Sequence, residues 1–163
     1  MILEEERPDV LTTYDDNGGY GHPDHIGVHR VGKRAAELAG VPVVAQAATN
    51  RDLVKRAMAQ AAEFGVELPA AEKGDSPDDR ADPAEFGKPE SELTHKVDVT
   101  AFVDRKLASM RVHASQIAAD HFLVSMPPEA FAFVFGVEWF IVDDVPTDPP
   151  APFTDLFEPV HPT

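Results

Sequence analysis

Val10-Leu11-Thr12-Thr13-Tyr14-Asp15-Asp16-Asn17-Gly18-Gly19-Tyr20-Gly21-His22-Pro23-Asp24-His25-Ile26-Gly27-Val28-His29-Arg30 is the stretch on which the reading of the fold turns. Its first five residues are apolar, β-branched or aromatic and give way to the turn formers Asp15, Asp16, Asn17, Gly18 and Gly19, so a buried strand ending in a loop is predicted. Pro23 suits the first position of a helix, where its missing N–H costs nothing, and Asp24 then falls in the first turn, where the helix dipole favours negative charge. The helix is predicted to reach Leu38 and stop at Gly40. Val28, Val31, Ala35 and Leu38 mark the expected buried stripe, leaving Arg30, Lys33, Arg34 and Glu37 to water.

The strand-then-helix order repeats. Residues 41–48 form a second apolar strand candidate, and Thr49 or Asn50 can cap a helix carrying Leu53, Val54, Ala57, Met58, Ala61 and Phe64. Between residues 68 and 92, Pro69, Pro77, Pro83 and Pro89 alternate with acids, which predicts a long surface loop. Residues 93–99 have strand character. Residues 100–117 read as an amphipathic helix with Val103, Leu107, Met110, Ala114 and Ile117 on one side. Pro127 and Pro128 open a short aromatic helix holding Phe131, Phe133 and Phe135, and residues 137–142 read as a last strand. Residues 143–163 are rich in Pro and Asp and are expected to be extended or disordered. The pattern predicts one α/β domain over residues 1–142 with a Rossmann-like, largely parallel sheet, whose ligand sites lie beyond the carboxyl ends of its strands.

Composition narrows the function. The 163 residues carry a formal charge of −15, which excludes a nucleic-acid binder because phosphate neutralisation needs a basic face. No apolar run approaches the ~20 residues of a membrane span, and the N-terminus lacks the order of a secretion signal, so a cytoplasmic protein that binds no membrane is expected. Cysteine is absent, so any metal is expected on His, Asp or Glu. His22, His25 and His29 supply candidates: His25 would lie in the first helical turn and His29 one turn on, although His29 can equally cover the helix surface. Asp24 can fix the tautomer of a neighbouring histidine or serve as a plain helix-dipole acid. Gly18, Gly19 and Gly21 suit a ligand-facing loop, and they also suit ordinary turns.

The run Asn17-Gly18-Gly19-Tyr20-Gly21-His22-Pro23-Asp24-His25 resembles the second signature of the zinc-dependent N-deacetylases of the PIG-L/LmbE family. It looks most like the mycothiol branch, which comprises the N-acetyl-glucosaminyl-inositol deacetylase and the mycothiol S-conjugate amidase. Arg7-Pro8-Asp9-Val10 before the motif agrees with this order, as do Asn50-Arg51-Asp52 and His113-Ala114-Ser115-Gln116 after it. The resemblance implies a hydrolase that uses one Zn2+ ion to cleave the N-acetyl group of an amino sugar or of a thiol conjugate. It makes His25 a zinc ligand. It also makes His22 the stabiliser of the oxyanion, and Asp24 the residue that holds His22 in its required protonation state. Tyr20 becomes a mobile contact to the acetyl group or an aromatic lid. Asp15, Asn17, Gly18 and Gly19 fall on the substrate side, with Asp15 and Asp16 either touching substrate or bracing the loop. His113 and Gln116 are expected in packing or supporting roles, and His95, His121 and His161 as ordinary residues.

The family's earlier signature, Ala-His-Pro-Asp-Asp-Glu, supplies a His and an Asp to zinc and a further Asp as general base. Nothing of that form precedes Asp15, and the only other His-Pro pair is His161-Pro162. A C-terminal portion of such an enzyme is therefore expected, with unpaired sheet edges and uncovered apolar surface, active only with its N-terminal half as a separate chain. Loss of a general base alone costs about 10²- to 10⁴-fold in rate. The alternatives are an inactive domain of the same fold that binds a ligand or partner, and an unstable remnant.

Overall fold

A computed structural model describes residues 2–61, 63, 65–66, 86–145 and 152–158. The chain divides into two compact units, one formed by the described parts of 2–51, 86–97 and 139–158, the other by those of 52–66 and 98–138.

The first unit carries most of a four-stranded sheet. Helix α1 (Ile2–Glu6) leads into β1 (Val10–Tyr14), a four-residue turn α2 (Gly18–Gly21), helix α3 (Pro23–Ala39) and β2 (Val43–Ala48). β3 (His95–Asp98) and β4 (Val137–Val142) complete the order β1-β2-β4-β3. β1 and β2 run parallel, with Val10 opposite Val43 and Tyr14 opposite Ala47, as expected for strands joined through a helix. β4 runs antiparallel to β2, from Ala45 opposite Val142 to Ala48 opposite Trp139. The α/β class holds, but the sheet is mixed. β1 is an edge strand of the described sheet. Val43, Ala45, Phe140 and Val142 form the core, with Val10, Val97, Val145 and Leu156 packed against it.

Helix α3 has the predicted boundaries. Pro23 opens it, and Gly40 closes it in the left-handed region at φ 68°, its N–H reaching the carbonyls of Ala36 and Glu37. The predicted buried stripe is wrong: Val28, Val31 and Leu38 are 51%, 70% and 57% exposed, whereas Ala36 is 1% exposed. The helix instead turns His25, His29, Gly32 and Ala36 inward, a set with the same helical spacing. A Cβ on Gly32 would lie 2.9 Å from Thr13 Oγ1, so helix and strand meet where the side chains are smallest. Hydrophobic periodicity marks the larger residues, whereas this helix packs through its smallest ones.

The C-terminal segment, expected to be extended or disordered, pairs with the sheet at Phe153. Phe153 donates its N–H to Thr94 O at 3.0 Å and accepts from Lys96 N–H at 2.7 Å, forming a parallel bridge opposite His95. Residues 152–158 are therefore tied to the sheet by main-chain bonds that a Pro- and Asp-rich composition does not foretell. His95, expected to be ordinary, is fully buried against the Phe153 ring at 5.3 Å, with Nδ1 2.8 Å from Thr94 Oγ1. Residues 146–151 and 159–163, His161 among them, lie outside the described residues, as do residues 68–85 of the predicted loop and Phe64.

In the second unit, α4 (Arg51–Gln60) belongs to it from Asp52 onward, and α5 (Val103–Val112) is shorter than predicted. The chain turns after Val112, where the N–H groups of His113 and Gln116 reach carbonyls three residues back. His113 and Gln116 are exposed, so the packing role expected of them is not seen. His121 caps the short helix α6 (Phe122–Ser125) by accepting from Leu123 N–H at 3.3 Å. α7 (Pro128–Phe135) stacks Phe131 on Phe135 at 4.6 Å, and Lys106 ties α5 to Phe135 O and Glu138 at 2.9 Å each. No helix among the described residues is long and apolar enough to cross a membrane.

Two predictions follow from this packing. Gly32→Val should lower unfolding stability by about 1–3 kcal/mol through overpacking. Gly27→Ala, where an added Cβ meets nothing within 4 Å, should raise it by about 0.4–1 kcal/mol; urea titration distinguishes the two, and equal effects would contradict the packing. Burial pushes the His95 imidazole below its ordinary pKa of 6.5, against the opposing pull of Glu158 and Asp155. The unfolded chain therefore binds the proton first, and stability from this residue declines as pH falls below about 6.5 towards the depressed folded value. His95→Phe should flatten that part of a stability–pH profile.

Candidate active site

The loop after β1 is built around close main-chain approach. Gly18 has φ 62°, and a Cβ there would lie 2.8 Å from His25 Cβ and 2.9 Å from Ile26 N, so only glycine lets the turn rest on the first turn of α3. Gly18 O thereby comes within 3.1 Å of His25 Nδ1. A carbonyl only accepts, so Nδ1 carries the hydrogen, and in the neutral ring Nε2 is left with a free lone pair. Tyr14 stacks flat on the same ring, 4.1 Å between centroids and 4° between planes. The His25 ring is thus held in plane and in tautomer by the end of β1 and the loop that follows it.

His22 is held in the opposite sense. It is the N-cap of α3, and its Nδ1 accepts from Asp24 N–H at 3.2 Å. Nδ1 is then the bare nitrogen and Nε2 the donor. The contact with His22 comes from the main chain of Asp24, and it requires an unprotonated Nδ1. The rings of His22 and His25 lie 4.7 Å apart, and Tyr20 meets both edge-on, at 6.0 and 5.2 Å. His29 Nδ1 is 2.9 Å from Tyr14 O, at the other side of the same strand end. Tyr20, His22 and His25 are therefore brought together.

The acids brace this loop. Asp15 is fully buried; its Oδ1 accepts from Gly19 N–H at 2.7 Å, and its main-chain oxygen accepts from Gly18 N–H at 2.9 Å. Oδ2 has no hydrogen-bond partner among the described residues. Burial pushes the Asp15 carboxyl up from its ordinary range, partly offset by the bond from Gly19 and by Lys88. Asp16 is paired with Lys88 at 2.6 Å, a hydrogen bond that holds its carboxyl below the usual range. Asn17 O accepts from Gly21 N–H at 2.8 Å and closes the turn. Of the residues placed on the substrate side, Asp15 is enclosed, and Asn17, Gly18 and Gly19 form the wall of the turn.

The sequence reading assigned no role to Tyr14, Gly87 and Lys88, and gave Arg51 only as part of a matching run. Tyr14 ends the strand and could have been suspected from its position. Asp16 and Lys88 are far apart in the chain, and no local signal joins them. Among the described residues, no group of three or more His, Asp or Glu could hold a metal ion. The donor chemistry of His25 suits a single zinc ligand, because metal-bound histidines generally donate their second ring N–H to a carbonyl or carboxylate.

No family model matches the chain. Its sequence is 38% identical to the 1D-myo-inositol 2-acetamido-2-deoxy-alpha-D-glucopyranoside deacetylase of Acidothermus cellulolyticus, over 86% of this chain and 47% of that protein. It is 37% identical to the enzyme of the same name from Streptomyces avermitilis, over 99% of this chain and 57% of that protein. For the Streptomyces griseus enzyme the identity is 43%, over 73% and 39%.

The buried Asp15 carboxylate yields a direct prediction. Asp15→Asn keeps an acceptor for Gly19 N–H and removes a buried charge, so its stability at pH 7 should stay within about 1 kcal/mol of the parent. Asp15→Ala, which strands that N–H, should lose about 1–3 kcal/mol in urea titration. Because the folded pKa is raised, the parent should gain relative to Asp15→Asn as pH falls through that value towards 3.8.

The chain spans about half the length of the curated relatives it matches, and over that span its sequence is similar to the 1D-myo-inositol 2-acetamido-2-deoxy-alpha-D-glucopyranoside deacetylases.

Proposed function

We propose that this chain carries one part of the active site of a cytoplasmic, zinc-dependent hydrolase that removes the N-acetyl group of an amino sugar such as N-acetyl-glucosaminyl-inositol. The observation that carries the reading is the opposed tautomers of His25 and His22, one leaving Nε2 bare and the other leaving Nε2 as a donor, with the rings 4.7 Å apart. His25 serves as one zinc ligand through Nε2. Zinc, when bound, polarises the amide carbonyl and activates the attacking water. His22 presents Nε2–H to the oxygen that gains charge as the carbonyl carbon becomes tetrahedral, an interaction strongest in the transition state. Tyr20, edge-on to both rings, borders the acetyl group, and the Gly18–Gly19 wall limits the room around it.

The remaining zinc ligands and the general base come from a polypeptide equivalent to the rest of the relatives' length. The exposed Val28, Val31 and Leu38 stripe on α3, together with β1, an edge strand among the described residues, supplies an apolar face and a strand edge for it to cover. The test is amine release from N-acetyl-glucosaminyl-inositol by the chain alone and by the chain mixed with the unmatched part of the Acidothermus cellulolyticus relative. The mixture should turn over in a zinc-dependent manner, with the chain alone at least about 100-fold slower, the cost of a missing base. His25→Ala should abolish zinc retention by the mixture, and His29→Ala should leave it. Stoichiometric association without turnover would instead identify an inactive, ligand-binding domain. Full activity of the chain alone would overturn the need for a second part.

A further inference from the structure

The segment Phe86-Gly87-Lys88 lies across the ends of β1 and β2 and is fastened to both. From the β2 side, Arg51 Nε donates to Phe86 O at 2.9 Å and Arg51 Nη2 to Gly87 O at 2.7 Å. The main chain adds Arg51 N–H to Lys88 O and Lys88 N–H to Thr49 O, each 2.8 Å. From the β1 side, Gly87 N–H donates to Gly19 O at 2.9 Å, and Lys88 Nζ meets Asp16 at 2.6 Å. Gly87 has φ 65°, and a Cβ on it would lie 2.4 Å from Thr49 O, so the strap fits only as glycine. Gly19 is consequently gripped twice, its N–H by Asp15 and its carbonyl by Gly87, immediately before Tyr20.

We infer that Arg51 is a positioning residue for the active-site loop: its guanidinium fixes Phe86 and Gly87, Gly87 fixes Gly19, and Gly19 sets where Tyr20 stands against His22 and His25. The guanidinium fork suits the task because donors on two nitrogens of one rigid plane reach two successive carbonyls at once, whereas a lysine carries all its donors on a single rotatable nitrogen. The functional meaning of this rests on the proposal that Tyr20 and His22 border the substrate, but the mechanical link does not.

The experiment is amide hydrogen exchange by NMR on the metal-free full chain, for the parent, Arg51→Ala and Arg51→Lys. Arg51→Ala should raise exchange at Gly87 and at Gly19 to Gly21 by about tenfold or more, the worth of a charge-assisted hydrogen bond, while the amides of β2 keep the parent rates. The ring signals of Tyr20, which sense the neighbouring histidine rings, should move with them. Arg51→Lys should give the same pattern at smaller amplitude, and it decides the matter alone if Arg51→Ala does not fold. Faster exchange at Gly87 with Gly19 to Gly21 and the Tyr20 ring unchanged would overturn the proposal, as would a uniform rise across β2. No substrate or zinc enters this measurement, so its failure is separate from a failure of the deacetylase reading.

Discussion

The absence of a side chain at Gly18 is the constraint on which the site depends. With no Cβ, the turn after β1 rests directly on the first turn of α3, and its carbonyl reaches the imidazole of His25. Any larger residue would have to displace that helix turn or leave an energetically strained positive φ. The histidine's orientation, its tautomer and the stacking of Tyr14 all follow from this one approach. Strand, turn and helix therefore act as one unit, and the chemistry is set by main-chain contact.

Around that contact the fold spends buried polar groups. The Asp15 carboxylate is fully enclosed, with one oxygen on Gly19 N–H and the other without a partner among the described residues. Burying a charge is costly, and Lys88 and the main-chain donors offset the cost only in part. What the arrangement provides is a loop held at several points by the ends of two strands, beyond the carboxyl end of a parallel pair, where α/β folds place ligand sites.

Much of this was legible from residue order. Turn formers after a β-branched run, Pro at a helix start and Gly at its end fixed β1, α3 and Gly40, and aromatic and β-branched density marked β4. The cluster of Tyr20, His22 and His25 could be read because all three belong to one continuous motif. The inward face of α3 was not legible, since Gly32 and Ala36 carry no hydrophobic signal and the helix packs by closeness rather than by bulk. Nor were the Arg51 to Gly87 and Asp16 to Lys88 contacts, or the pairing of Phe153 with the sheet, because each joins residues far apart in sequence through geometry that only the folded chain supplies. The exposed stripe of α3 shows the same limit in reverse: its apolar spacing is real, and its partner is not found among the residues described.

The central claim is that the loop prepares His25 to offer Nε2 and His22 to offer Nε2–H. Long-range proton–nitrogen NMR correlation of the histidine rings, at a pH where both are neutral, tests it most directly. The account predicts the Nδ1–H tautomer for His25 and the Nε2–H tautomer for His22. Finding His25 as the Nε2–H tautomer, or both rings as an even mixture, would contradict it.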